Sequence, residues 1–270
     1  MPVWNGGAEA QVLIDRRKQI KELLQVEQQV SIREISERFN VSVATARRDL
    51  DALADNGEIE RLHGGARLIG QAPPEMPSLQ RLAEQSEEKQ AIATAAAQLI
   101  GDNETVFFGS GTTVLEVARR LPRRTNLTVV TNSLLVANAL ADRRDITLIV
   151  MGGIFRQSEG SFYGHLTELM LNEISASKVI FGIRAISLER GLTNDFVAEI
   201  STDRTILKMA RDVILVADHT KFNRVSTALV CSVAEVRRIV TDDQTPPELI
   251  EALVERGIEV IEFACGGPCP

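Results

Sequence analysis

The run Gly109-Ser110-Gly111-Thr112-Thr113 follows an apolar stretch, Thr105-Val106-Phe107-Phe108, and precedes a helical pattern. Glycines let a backbone approach an anion closely, and Ser and Thr hydroxyls add donors. A helix start adds free N–H groups and partial positive charge. Such a loop suits a phosphate. It lacks the Lys of a P-loop and the full dinucleotide fingerprint, so a plain glycine turn is the alternative. Other polar groups also follow apolar runs: Thr131-Asn132-Ser133, Gly152-Gly153 and Asp218-His219-Thr220-Lys221. Lys221 could neutralise a phosphate, and Asn132 and Asp218 could bond hydroxyls; caps and turns are the alternatives. Glu199 and Arg204 could join such a site or form a surface pair. His165 and His219 have no Cys or His at ligand spacing, so no metal site and no cofactor are expected.

A second set of residues offers different chemistry. Apolar residues at Leu13, Ile20, Leu23 and Leu24 put one stripe on a helix over about 12–26. Ser31 and Glu34 form a capping box for a short helix ending near Phe39. Asn40-Val41-Ser42 is a tight turn, and Ser42 caps a longer helix over about 43–56, closed by Gly57. At 100° per residue, Ala46, Leu50 and Leu53 share an inward face. Ala44, Thr45 and Arg48 then point outward, with Arg47 on the flank. Two helices joined by a short turn, the second longer, is the geometry that lays a helix in the DNA major groove. Arginine supplies a planar fork of donors for guanine or phosphate. Ser42 and the helix-start amides suit phosphate. Arg16, Arg17 and Lys18 form another basic cluster. Arg61, His63 and Arg67 form a third, beside a short hairpin or wing. A solvated helix face is the alternative for the arginines.

The elements that must hold these groups fall into two parts. A winged helix-turn-helix occupies 12–70. Residues 71–80, with Pro73, Pro74 and Pro77, read as a linker. From 81 to 263 helices alternate with near-continuous apolar strands: Thr105–Phe108, Leu127–Thr131, Ile146–Met151, Lys178–Phe181, Val213–Ala217, Val236–Thr241 and Glu259–Phe263. That pattern predicts an α/β, Rossmann-like, mostly parallel sheet covered on both faces, with ligands at strand C-terminal ends.

Composition excludes several classes. The chain has 270 residues, 44% hydrophobic and 25% charged, as a globular protein has. No window is apolar enough for a transmembrane helix, and the N-terminus has no signal-peptide pattern. Cys231, Cys265 and Cys269 form no disulfide framework, and the expected location is the cytoplasm. The net charge of −7 excludes wholesale basic coating of nucleic acid. Residues 1–70 are nearly balanced, with ten Lys and Arg against eleven Asp and Glu, so the acidity lies mostly beyond them.

Val41-Ser42, Thr45-Ala46-Arg47-Arg48-Asp49-Leu50 and Arg61-Leu62-His63-Gly64-Gly65-Ala66 resemble the DeoR family of bacterial regulators. Ala46 stands where the family usually has Ile. The likeness continues through Gly-Ser-Gly-Thr-Thr, Val-Thr-Asn-Ser, Met-Gly-Gly, Gly191-Leu192-Thr193, Ala217–Phe222 and Val240–Asp242. It implies a sensor domain similar in fold to ribose-5-phosphate isomerase, and a phosphorylated sugar or polyol as effector. Two positions depart. Gly109 stands where many members have Asp. Ile183–Ser187 replaces a Gly-Ile-Asp type segment, which puts Arg184 at the site as a possible phosphate ligand. The resemblance implies a repressor of carbohydrate metabolism genes rather than an enzyme, binding double-stranded operator DNA as a homo-oligomer, dimer or tetramer. The alternative is an aldose–ketose phosphate isomerase with an accessory DNA-binding module. It would rest on Glu199 and Asp218 as bases, with Lys221 as electrostatic helper.

Overall fold

The computed structural model describes residues 16–264 except 25–26, 28, 56–58, 63, 69 and 73–75. The first element is helix α1 over 16–24. Strand β1 (Gln29–Ser31), helix α2 (Ile32–Arg38), helix α3 (Val43–Asp55) and strands β2 (Ile59–Leu62) and β3 (Gly65–Leu68) complete a small domain. Its strands pair antiparallel in the order β1-β3-β2. Ser31 and Glu34 close the capping box reciprocally at the start of α2. Asn40 turns the chain with a positive φ of 48°. Ile20, Leu24, Ile35, Ala46, Leu50, Leu53 and Ile59 form one buried cluster, so the 3.6-residue period of α3 does face inward at those positions. The paired glycines of the wing have separate reasons. Gly64 has a φ of 91°, where a Cβ is strained. At Gly65 a Cβ would lie 2.4 Å from the Val30 carbonyl oxygen, so only glycine lets β1 approach β3.

The chain then passes through β4 (Gly70–Gln71), α4 (Ser78–Arg81), α5 (Ser86–Gln98), β5 (Thr105–Phe108) and α6 (Thr112–Arg119). Next come β6 (Leu127–Thr131), α7 (Leu134–Leu140), β7 (Ile146–Val150), β8 (Ile154–Arg156), β9 (Ser161–Tyr163) and α8 (His165–Asn172). They are followed by β10 (Lys178–Gly182), β11 (Ala185–Ser187), β12 (Gly191–Asn194), α9 (Ile200–Leu207) and β13 (Asp212–Val216). The last are β14 (Arg224–Val225), β15 (Ala228–Cys231), β16 (Arg238–Asp242), α10 (Pro247–Glu255) and β17 (Glu259–Phe263).

Seven strands form one sheet in the order β17-β16-β13-β10-β5-β6-β7, and every pairing in it is parallel. Successive side chains of a strand alternate between two cores. Phe107, Val179, Phe181 and Leu215 pack in one cluster with Leu171 of α8, Ile206 of α9 and Leu253 of α10. Val106, Phe108, Ile180 and Ile214 pack in the other with residues of α5, α6 and α7. Burial on both faces is why the central strands β5, β10 and β13 are apolar over most of their length. The expected Rossmann-like α/β fold is therefore present. Three short pairings were not foreseen: the β8–β9 hairpin, the antiparallel β11-β12-β15 sheet, and β4 against β14.

At its described ends, the stretch expected as a linker, 71–80, is tied to the larger domain. Gly70 and Ala72 donate from their amides to the carbonyls of Asn223 and Val225. The Ser78 amide donates to Ser158 O at 2.7 Å, and α4 follows at once. Prolines remove periodicity from the sequence, but they do not prevent hydrogen bonds to a distant segment.

Candidate functional site

In the N-terminal domain, Ser42 Oγ accepts from the Thr45 amide at 3.1 Å and caps α3. Ala44, Arg47 and Arg48 are exposed at the start of α3, and Thr45 is half-buried. Arg47 and Arg48 make no ion pair among the described residues. The outward face expected from helical spacing is thus in place. The other expected cations are engaged elsewhere. Asp49, buried on the inner side of α3, accepts from Arg16 Nε at 2.6 Å and Arg17 Nε at 3.2 Å. Arg61 is 3.1 Å from Asp51 Oδ1 and donates to Gly65 O, bracing α3 against the wing. So Arg16, Arg17 and Arg61, read as DNA contacts, serve first as clamps between elements. Their carboxylate partners lie too far along the chain to show in local spacing. His63 lies outside the described residues.

In the larger domain the order of strands reverses at β5. The chain runs outward from β5 through β6 to β7, then returns to place β10 on the other side of β5. The loops after β5 and β10 therefore diverge and leave a crevice at their C-terminal ends. A cleft of about 730 Å³, partly open to solvent, occupies this position. Ser110, Gly111, Thr112 and Thr113 line it at the start of α6, opposite Gly182, Ile183 and Arg184. Gly111 has a φ of 109°, and Gly182 leaves room for the Ser110 carbonyl 3.2 Å from where a Cβ would stand. Glu199 and Lys221 also line the cleft. Seven of the expected residues thus meet: Ser110, Gly111, Thr112, Thr113, Arg184, Glu199 and Lys221.

The remaining expected residues hold the framework instead. Gly109 packs against Phe181 and donates to Ile180 O. Thr131 Oγ1 accepts from the Ser133 amide, Ser133 caps α7, and Asn132 donates to Phe162 O at 2.9 Å. Thr167 closes on Gly152 and Gly153: its hydroxyl donates to Gly152 O, and a Cβ on Gly153 would lie 2.1 Å from it. Arg204 donates to the carbonyls of Val230 and Leu229, tying α9 to β15. Asp218 caps the turn at Thr220 with Oδ1. Neither carboxylate that an isomerase would need stands both unpaired and on the cleft wall. Asp218 is buried outside the cleft, and Glu199 is held by Arg156 and by Ser161 Oγ at 2.8 Å.

Sequence reasoning missed the rest of the wall: Arg81, Glu84, Lys89, Arg156, Glu159, Asn194, Asp195 and Asp203. They come from α4, α5, β8, β12, α9 and the turns beside them, and only the fold assembles them. The arginines arrive already matched. Arg81 pairs with Glu159, Arg156 with Glu199, and Arg184 Nε with Asp195 Oδ2 at 3.2 Å. Arg156 also lies 4.4 Å over the Phe196 ring. Lys89 donates to the backbone carbonyls of Arg81 and Glu84, and so pins α4 to α5. The Lys221 side chain makes no hydrogen bond or ion pair among the described residues, although its amide donates to Asp218 O. Burial lowers the pKa of both lysines, against the attraction of Asp218. Burial, and then the neighbouring Glu199, push the Asp203 carboxyl well above its usual range, while Asn194 donates to it at 2.6 Å. Among the described residues no group of His, Cys, Asp or Glu could hold a metal ion. Burial also pushes the Cys231 thiol up to about 12; Cys265 and Cys269 lie outside the described residues. No described helix is long and apolar enough to cross a membrane.

A helix-turn-helix head joined to a Rossmann-like domain with a polar cleft at its switch point is the build of a DNA-binding regulator. The DeoR-like helix-turn-helix domain matches residues 16–72, and the DeoR C terminal sensor domain matches 84–243. The transcriptional repressor AccR of Agrobacterium fabrum is 36% identical over 243 residues, covering 90% of this chain and 94% of that protein. The glycerol-3-phosphate regulon repressor of Escherichia coli is 36% identical over 245 residues, covering 91% and 97%. The HTH-type transcriptional regulator IolR of Bacillus subtilis is 32% identical, covering 86% and 92%. The chain belongs to the DeoR family; it is a regulator and not an enzyme. Among solved structures, ribose 5 phosphate isomerase A from Neisseria gonorrhoeae overlaps 50% of this chain and 52% of its own, at a TM-score of 0.37 and 17% identity.

The clamp at Asp49 yields a prediction. Asp49→Ala leaves two cations without their carboxylate and should lower stability by about 2 kcal/mol. Urea unfolding followed by circular dichroism measures this; an unchanged midpoint would refute the clamp.

Proposed function

We propose that this protein is a transcriptional repressor of carbohydrate metabolism genes that grips double-stranded operator DNA with α3. A phosphorylated sugar or polyol in the switch-point cleft releases it. The observation that carries this reading is the cleft itself. It joins a backbone cradle, Ser110–Thr113, to a half-buried lysine, Lys221, that has no partner of its own. The cradle and the lysine suit a phosphate. The carboxyl and amide groups of Asp203, Glu199 and Asn194 on the same cleft suit hydroxyls. The relative named for the glycerol-3-phosphate regulon supports the same ligand class.

Coupling between the sites needs a ligand that binds two arrangements unequally. The connection runs through Lys221. Three residues beyond it, Arg224 and Val225 pair with Gly70 and Gln71, the strand by which the head leaves for the sensor domain. Arg81, close behind that strand, pairs with Glu159 in the cleft wall. A phosphate drawing on Lys221 therefore acts beside the attachment of the head. Paired operator half-sites require at least two heads. Ile154, Phe155, Leu166, Leu169 and Met170 are exposed on β8 and α8, and Ile154 packs against Gly164 at the start of α8. This apolar face is where a second copy docks.

Fluorescence anisotropy with the upstream DNA of its own gene, at fixed salt, tests the reading. Arg47→Ala and Arg48→Ala should each lose about 1–3 kcal/mol of operator affinity if they read bases. A sugar phosphate should release wild type from DNA but leave Lys221→Met bound. Release by every ligand in both proteins would refute the site, and an absence of specific DNA binding would refute the function. The lysine also sets a pH dependence. The ammonium form holds the phosphate, so affinity is full below the lowered pKa of Lys221 and falls as pH rises through it. The loss should begin below the usual lysine range, of about 10.4, and calorimetric titration against pH measures it. Leu166→Glu with Leu169→Glu should convert the assembly to monomers by sedimentation, with operator affinity lost and the circular dichroism spectrum kept.

A further inference from the structure

A second opening adjoins the cleft on the side where the head attaches. Met76, Arg81 and Glu84 line it from the connecting segment, and Thr220, Lys221 and Arg224 from the segment after β13; Arg184 completes it. Arg81, Glu84, Arg184 and Lys221 line both openings, so the two are continuous. The outer one spans about 1010 Å³, including space open to solvent. Four of its side chains are cationic and one, Glu84, is anionic.

The cations are not equivalent. Arg81 is held by Glu159 and Arg184 by Asp195. Lys221 and Arg224 are each half-buried, and neither side chain makes a hydrogen bond or ion pair among the described residues. Burial chiefly depresses the pKa of Lys221, Asp218 opposes it, and smaller depressions come from the like charges of Arg184 and Arg81. Thr220 turns its hydroxyl to Asp218 and does not neutralise them. Two neighbouring unpaired cations on a half-buried wall are costly without a counter-ion, and an anion would relieve that cost. Arg224 is also placed by the backbone. It stands opposite Gly70 in the β4–β14 pairing, and its stem lies 3.9 Å from where a Cβ of Gly70 would be.

We propose that Lys221 and Arg224 form a second anion subsite, of phosphate size, where the head's connecting strand meets the sensor domain. Its occupant is either the second phosphate of an effector that spans both openings or a separate inorganic phosphate. Lys221 stands at the boundary and is shared with the inner cleft, whereas Arg224 is not, so Arg224 variants test the subsite separately from the proposed effector site.

The test is titration calorimetry on the full chain with inorganic phosphate, a hexose monophosphate and a hexose bisphosphate. Wild type should bind phosphate at a site that Arg224→Gln weakens by about tenfold or more, the loss of one charge-assisted contact. Arg224→Lys should keep most of the affinity. A bisphosphate that outbinds the monophosphate in wild type but not in Arg224→Gln identifies the second phosphate of one effector. Phosphate still binding to monophosphate-saturated protein, in an Arg224-dependent manner, identifies a separate ion. Phosphate affinity and stoichiometry unchanged by Arg224→Gln would overturn the proposal. If Arg224→Gln fails to fold, Arg224→Met takes its place with the same criteria, because Arg224 lines the outer opening and not the inner cleft. No sugar phosphate binding at all, with phosphate uptake still dependent on Arg224, would sink the proposed effector and leave the subsite standing.

Discussion

The parallel pairing of β5 with β10 is the constraint on which the rest depends. Parallel strands need crossover connections, and right-handed crossovers place helices on both faces of the sheet. The chain builds outward from β5 in one direction and later in the other. At this one seam, the loops at the strand ends part and leave backbone amides uncovered. The start of α6 enters the opening, and Gly182 lets the facing loop come close to Ser110. A cleft follows from topology before any side chain is considered.

Charge then decides what the cleft can hold. Buried ion pairs contribute little net stability, but breaking one leaves an isolated charge, so they fix geometry firmly. Arg81, Arg156 and Arg184 are each fixed in this way by a carboxylate from another element. The wall is rich in charged groups and yet nearly neutral. Of the cations that line the cleft, the Lys221 side chain alone has no hydrogen-bond or ion-pair partner among the described residues. A ligand with one strong anionic group and several hydroxyls matches that pattern.

The link to the head is slight in extent and specific in position. A two-residue parallel ladder, Gly70–Gln71 against Arg224–Val225, lies between the wing and the sensor domain. Short ladders with few buried apolar contacts belong to the part of a structure that opens most readily. Such an element suits a switch, because a modest difference in ligand affinity can shift it.

Much of the fold was legible in the sequence because its signals are local. The period of α3 buried Ala46, Leu50 and Leu53, the capping box at Ser31 formed, and seven apolar runs became the seven strands. The glycine-rich loop after β5 reached the cleft for the same reason, since strand, turn and helix start are neighbours in the chain. Only the tertiary structure decided which polar groups are available. Asp49 lies 33 residues from Arg16, and Glu159 lies 78 from Arg81. No local pattern reveals those pairings, so Arg16 and Arg17 looked free for DNA, and Arg81, Arg156 and Asp203 were not noticed. Backbone preference acts over a few residues, whereas ionic and hydrogen-bond partners are chosen by packing across the whole chain.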